Sequence, residues 1–69
     1  MINESIVVIV GRNLRKIRKE KNISIERLAL MSSVNKNYLS DLERGNRNPT
    51  ISVLDRIAYA LKVDIKEFF

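Results

Sequence analysis

Between Ser24 and Gly45 two apolar-periodic segments, each of fewer than ten residues, are separated by only a short turn, Ser32-Ser33-Val34-Asn35. Helices under about 12–15 residues are marginal alone in water, so these two must pack on each other and on the rest of the chain. Ser24 precedes Ile25-Glu26-Arg27-Leu28-Ala29-Leu30-Met31 as a helix start, with Glu26 placed to favour the helix dipole, and predicts a helix over about Ile25 to Ser32. Asn35 caps a segment from Lys36 to Arg44, and Gly45 supplies a left-handed stop.

The flanks are helical by the same criteria. Val7, Val10, Leu14 and Ile17 make one stripe of a helix running from about Glu4 or Ser5 to Lys21, followed by Asn22 at a left-handed end. The β-branched run Ile6-Val7-Val8-Ile9-Val10 reads equally as a short strand. Thr50 caps a helix with apolar positions Ile51, Leu54, Ile57, Ala58 and Leu61 that ends near Lys62. Asp64 and Glu67 have capping-box spacing, which predicts a last helical turn displaying Phe68 and Phe69. The expected architecture is all-α, five helices in a single domain over 1–69. Its core is expected from Leu14, Ile17, Leu28, Ala29, Val34, Leu39, Leu42, Ile51, Leu54, Ile57, Ala58, Leu61 and Ile65. Ala29 is expected to be small because helices 2 and 3 cross closely there.

Composition narrows the function. A chain of 69 residues buries only about 60% of its unfolded surface, which disfavours deep substrate clefts and hence an enzyme. With no Cys and no His, the usual metal sites, disulfides and nucleophile–base pairs are absent, and no metal or other cofactor is expected. Asp41 and Glu43, two apart on one helix, do not face each other as a carboxylate pair. The longest apolar run, Ile6 to Val10, is far short of the ~20 residues of a membrane span, and the N-terminus lacks a secretory pattern, so a cytoplasmic protein is expected. No small-molecule ligand is expected either. Thirteen Lys and Arg against eight Asp and Glu give a net charge of +5, which makes nucleic acid the leading partner, narrowed to double-stranded DNA by the helix pattern described next. Six of the cations, Arg12, Arg15, Lys16, Arg18, Lys19 and Lys21, fall within ten residues.

Two short helices joined by a four-residue turn, with small polar side chains opening the second, form the helix-turn-helix pattern, in which the second helix enters the major groove of DNA. Beyond that pattern, Gly11 to Phe68 resembles the XRE family of lambda-repressor-like DNA-binding domains. The matching motifs are R-x-L-R-x-I-R at Arg12 to Arg18, S-x-E-x-L-A at Ser24 to Ala29 and Y-L-S-x-L-E-R-G at Tyr38 to Gly45. N-R-N-P-T at Asn46 to Thr50 and L-x-x-I-A-x-A-L at Leu54 to Leu61 follow in the family's order. The short chain, I-R-K-E-K at Ile17 to Lys21, N-Y-L-S-D-L-E-R-G-N-R-N from Asn37 and the terminal Phe-Phe are most similar to controller proteins of restriction–modification systems. Two positions depart from the family pattern. Ile25 stands where the family often has a phosphate-binding Gln, and Ser33 replaces the usual turn Gly and must adopt a positive φ at about 1 kcal/mol.

Lys36, Asn37, Ser40 and Asp41 lie in the half of helix 3 that reaches base edges. Lys suits guanine, Asn adenine and Asp the cytosine amino group, although Asp41 also repels phosphates and so serves equally to reject wrong bases. Backbone contacts are expected from Asn35, Arg12 and the Tyr38 hydroxyl, to which the resemblance also points, although Tyr38 alternatively packs beneath the loop; the resemblance further implies Arg47, on backbone or groove, and Asn46 and Asn48 through their backbone amides. The resemblance also implies that Arg18 and Glu43 form an internal ion pair. Tyr59, Val63, Phe68 and Phe69 are left without core positions and suggest a homodimer seam, with Ile6 to Val10 as the competing site. The chain is thus expected to be a dimeric transcription regulator on an inverted-repeat operator. The alternatives are a phage-type or immunity repressor, or an antitoxin or adaptor that mainly serves a protein partner.

Overall fold

The computed structural model describes residues 5–69. Four α-helices follow one another: α1 (Ile6–Glu20), α2 (Ile25–Ser32), α3 (Lys36–Glu43) and α4 (Ile51–Leu61). A 3-10 turn at Ile65–Phe68 closes the chain. Each start is built by a side-chain acceptor. Ser5 accepts from the Val7 N–H, Ser24 from Arg27, Asn35 from Asn37 and Tyr38, Thr50 from Val53, and Asp64 from Lys66. Left-handed residues follow the helices at Asn22 (φ 57°), Ser33 (φ 57°), Gly45 (φ 77°) and Lys62 (φ 59°).

The ambiguous run Ile6 to Val10 is helical, and among the described residues there is no strand. The expected start at Glu4 lies outside the described residues. Packing overrides β-propensity here, because Val10 and Leu14 are buried and Gly11 faces α3 without a side chain. A Cβ built on Gly11 would lie 2.1 Å from the carbonyl oxygen of Leu42, so α1 and α3 meet backbone to backbone. Glycine costs helix stability at such a position, but nothing larger fits it.

The core joins Val10, Leu14, Leu28, Val34, Leu39, Leu42, Leu54, Ile57, Ala58, Leu61 and Phe68. Three sequence expectations need correction. Ile51 is 69% exposed; in the first turn of α4 it borders an apolar groove with Ile6, Pro49 and Phe69 instead of entering the core. The expected fifth helix is a 3-10 turn, since four residues suffice to return the chain to α1. Phe68, expected at a dimer seam, is fully buried, and its carbonyl accepts a 2.9 Å hydrogen bond from Asn13 Nδ2. Successive residues of a tight turn point in different directions, so Phe68 fills the space beneath α1 and α4 while Phe69 stays 53% exposed.

Candidate nucleic-acid interface

The position of α3 is set by a fork between helices. Arg18 on α1 donates from Nε to Glu43 Oε2 at 2.6 Å and from Nη2 to Oε1 at 2.9 Å. Its Nη1 donates to the Ile23 carbonyl at 2.8 Å, so one guanidinium ties α1, the α1–α2 linker and α3 together. The side chains are only 12% and 7% exposed, and the hydrogen bond to Glu43 holds the Arg18 pKa above the ordinary arginine value. A second arginine fixes the turn between α2 and α3. Arg56 of α4 donates from Nε to the Ser32 carbonyl at 3.3 Å and from Nη2 to the Ser33 carbonyl, satisfying acceptors at the α2 C-terminus. Sequence reasoning missed Arg56; its one signal was that it is the only cation within α4.

So held, α3 offers its first turn to solvent. Asn35 spends its side-chain oxygen on the Asn37 and Tyr38 N–H groups at 2.8 and 3.2 Å, leaving its amide as a donor. Lys36 and Asn37 are exposed; Lys36 Nζ lies 3.5 Å from Glu26 Oε2 on α2. The Glu26 carboxyl is held below the ordinary glutamate pKa, first by its own backbone N–H at the start of α2 and then by Lys36. Further along, the Asp41 carboxylate lies 2.6 Å from Arg44 Nη2 and 3.6 Å from Arg47 Nη2. The Arg47 guanidinium in turn stands 4.9 Å from the centroid of the half-buried Tyr38 ring. Tyr38, Arg47, Asp41 and Arg44 thus form one connected surface, in which Arg44 had no sequence-stated role. Its signal was the i, i+3 spacing from Asp41.

The other expected residues are placed less centrally. Ser40 is half-buried and shares a cleft wall with Arg44. Asn46 and Asn48 are exposed in the loop after α3, and the Asn46 N–H donates to the Asp41 carbonyl at 2.9 Å. Arg12 is exposed on α1, beside the Gly11 contact with the end of α3 and away from its first turn. At the opposite end Tyr59 is 87% exposed and Val63 is half-buried. Among the described residues no helix is long and apolar enough to cross a membrane, and no cluster of acidic residues could hold a metal ion.

Residues 14–68 match the helix-turn-helix family. The chain belongs to the XRE-type helix-turn-helix family. Among its family relatives, the control protein C.BamHI of Bacillus amyloliquefaciens is 36% identical over 67 residues, which cover 96% of this chain and 83% of that protein. The crystal structure of the restriction–modification controller protein C.AhdI from Aeromonas hydrophila superposes with a TM-score of 0.89 at 35% identity, covering 91% of this chain and 96% of the other. SinR, a master regulator for biofilm formation solved in complex with DNA, has a TM-score of 0.82 at 35% identity, covering 86% and 95%. Other family regulators are longer, and this chain spans about two fifths of their length. These relatives carry the names of regulators and controllers, not of enzymes.

Proposed function

We propose that this chain is a sequence-specific DNA-binding transcription regulator that acts as a homodimer on an inverted-repeat operator, in the manner of a restriction–modification controller protein. The observation that carries it is the exposed first turn of α3, capped by Asn35 and flanked by the Tyr38–Arg47 stack, on a domain of net charge +5. In this proposal Lys36 and Asn37 read base edges in the major groove, while Tyr38, Arg47 and the Asn35, Asn46 and Asn48 amides hold the backbone. Asp41, engaged by two arginines, orients them and disfavours wrong bases. Exposed Tyr59 and Phe69, with Val63, supply the apolar seam between subunits.

Selection from a pool of random duplexes, followed by footprinting, tests this. The expected product is a dyad whose half-site centres are about 34–36 Å apart. An asymmetric site held by a monomer removes the dimer, and recovery of no enriched sequence favours a chain that serves a protein partner. Lys36→Ala or Asn37→Ala is expected to cost about 1–3 kcal/mol per half-site and to relax preference at one or two base pairs. Equal losses on specific and random DNA would reduce both residues to general electrostatics.

A further inference from the structure

The principal helix contacts are α1 against α3 and α2 against α4, with α2 also packed on α3. The first pair is locked at the last turn of α3, where Glu43 meets Arg18 and the Leu42 carbonyl meets Gly11. The first turn of α3 instead adjoins the joint between the pairs, the segment Ser32-Ser33-Val34-Asn35. From Lys36 to Glu43 the rise along a helix is about 10 Å. A small change of angle at the joint therefore displaces Lys36 and Asn37 while the locked end stays in place.

Within the joint, Ser32 and Val34 are buried, whereas Ser33 between them is exposed and held at φ 57°, a left-handed conformation that disfavours residues with a side chain. The Ala29 and Leu30 carbonyls at the end of α2 take the Ser33 N–H, and Ala29 also takes that of Val34. The Ser32 hydroxyl turns back to the Leu28 carbonyl at 2.6 Å, so it ties the joint to α2 alone. The Ser32 and Ser33 carbonyls are satisfied from a different element, by the Arg56 guanidinium of α4. Between the joint and α4 lies a cleft of about 210 Å³ lined by Ser33, Val34, Asn35, Tyr38, Val53 and Arg56, so packing does not fill this side. A planar guanidinium with two nitrogens on successive carbonyls defines an orientation as well as a distance.

We propose that Arg56 is a positioning residue for DNA recognition: by holding the Ser32 and Ser33 carbonyls from α4, it sets the angle at which Lys36 and Asn37 meet base edges, without itself touching DNA. The inference rests on the base-reading role argued above for those two residues. Base-edge hydrogen bonds need their donors placed within about 0.5 Å, whereas attraction to the charged backbone tolerates larger displacements. A loosened joint therefore costs discrimination between sequences before it costs affinity for DNA in general. Folding stability changes little, since Arg56 and Ser33 are exposed and water can replace the guanidinium there.

Binding of the intact chain to the operator recovered by selection and to a random duplex, each over a salt series, tests this. Arg56→Ala is expected to weaken operator binding about tenfold and random-duplex binding less than about twofold. The slope of log K against log salt stays parental, because no phosphate contact is lost. Arg56→Lys keeps the charge but not the two-pronged grip, and is expected to lose preference in the same way. Hydrogen exchange in the free protein locates the cause. The Val34 N–H, bonded to the Ala29 carbonyl across the joint, should exchange at least about tenfold faster in both variants, while that of Leu14, buried in α1, keeps its parental rate. Thermal melts check that both variants fold, and the lysine variant carries the test should the alanine variant fail to. A parental operator-to-random ratio in either folded variant, equal losses on both duplexes, or lost preference with parental exchange at Val34 would overturn the positioning role. So would a flatter salt slope in Arg56→Ala, which would make Arg56 a direct phosphate contact. A parent that prefers no sequence overturns the base-reading role itself, an outcome seen before any variant is made.

Discussion

Arg18 and Glu43, 25 residues apart in sequence, meet through two parallel hydrogen bonds of 2.6 and 2.9 Å in a largely buried seam between α1 and α3. Truncating one member strands the other charge. Glu43→Ala is expected to cost about 3–5 kcal/mol, comparable with the roughly 3–10 kcal/mol available to a domain of this length. Urea denaturation measures it, and a midpoint equal to that of the parent would show the pair to be dispensable.

The contact between Gly11 and the Leu42 carbonyl predicts an inversion of helix propensity. Alanine normally stabilises a helix interior relative to glycine by about 1 kcal/mol. At Gly11 its Cβ would sit 2.1 Å from a backbone oxygen, so Gly11→Ala is expected to destabilise by about 1–3 kcal/mol as the two helices are forced apart. A thermal melt that rises above that of the parent would contradict the close approach.

The two terminal aromatics should separate cleanly on substitution. Phe68→Ala removes a fully buried ring and is expected to cost about 3–5 kcal/mol of folding stability. Phe69→Asp, at a site 53% exposed, should leave the melt within a few degrees and weaken self-association at least tenfold if the proposed seam is right. Sedimentation velocity with parallel melts reads both. A tight dimer in the Phe69 variant, beside a monomeric Val8→Asp protein, would move the seam to α1.

Glu26 gives a pH prediction. Its folded pKa is depressed, chiefly by its own backbone N–H and then by Lys36, so its contribution to stability is complete above the ordinary glutamate value. That contribution is lost as pH falls through the lower folded value. A carboxyl titration followed by NMR should place the Glu26 midpoint below that of glutamate in an unstructured peptide, and Lys36→Ala should return part of the difference. A midpoint at the peptide value would discount the link between α2 and α3.

Much of this arrangement was legible in the chain. Ser24, Asn35 and Thr50 stand at helix starts because their oxygens replace missing backbone partners, a local requirement that needs no tertiary knowledge. Asn22 and Ser33 adopt the left-handed geometry their positions demand. What escaped depends on distant surfaces. Phe68 could be assigned to the core only by knowing that α1 and α4 leave a gap its ring can fill, and Ile51 fits the apolar period of α4 yet, in its first turn, lies at the rim of a surface groove and stays exposed. Arg44 and Arg56 were overlooked for a related reason: a cation in sequence reads as solvated until the fold supplies the acceptor, here Asp41 and the Ser32 and Ser33 carbonyls. The strand-or-helix ambiguity of Ile6 to Val10 was resolved by Gly11, whose missing side chain lets α1 close on α3.

The meeting of bare backbones at Gly11 and Leu42 has a mechanical consequence. Side chains at an ordinary helix crossing can change rotamer and absorb a small displacement, but here no such cushion intervenes. A tilt imposed on α3 is handed directly to α1, and the two helices move as a single lever. The arginines and lysines on α1 then follow every adjustment of the helix that carries Lys36 and Asn37, so a change in docking angle is felt by the whole cationic surface at once.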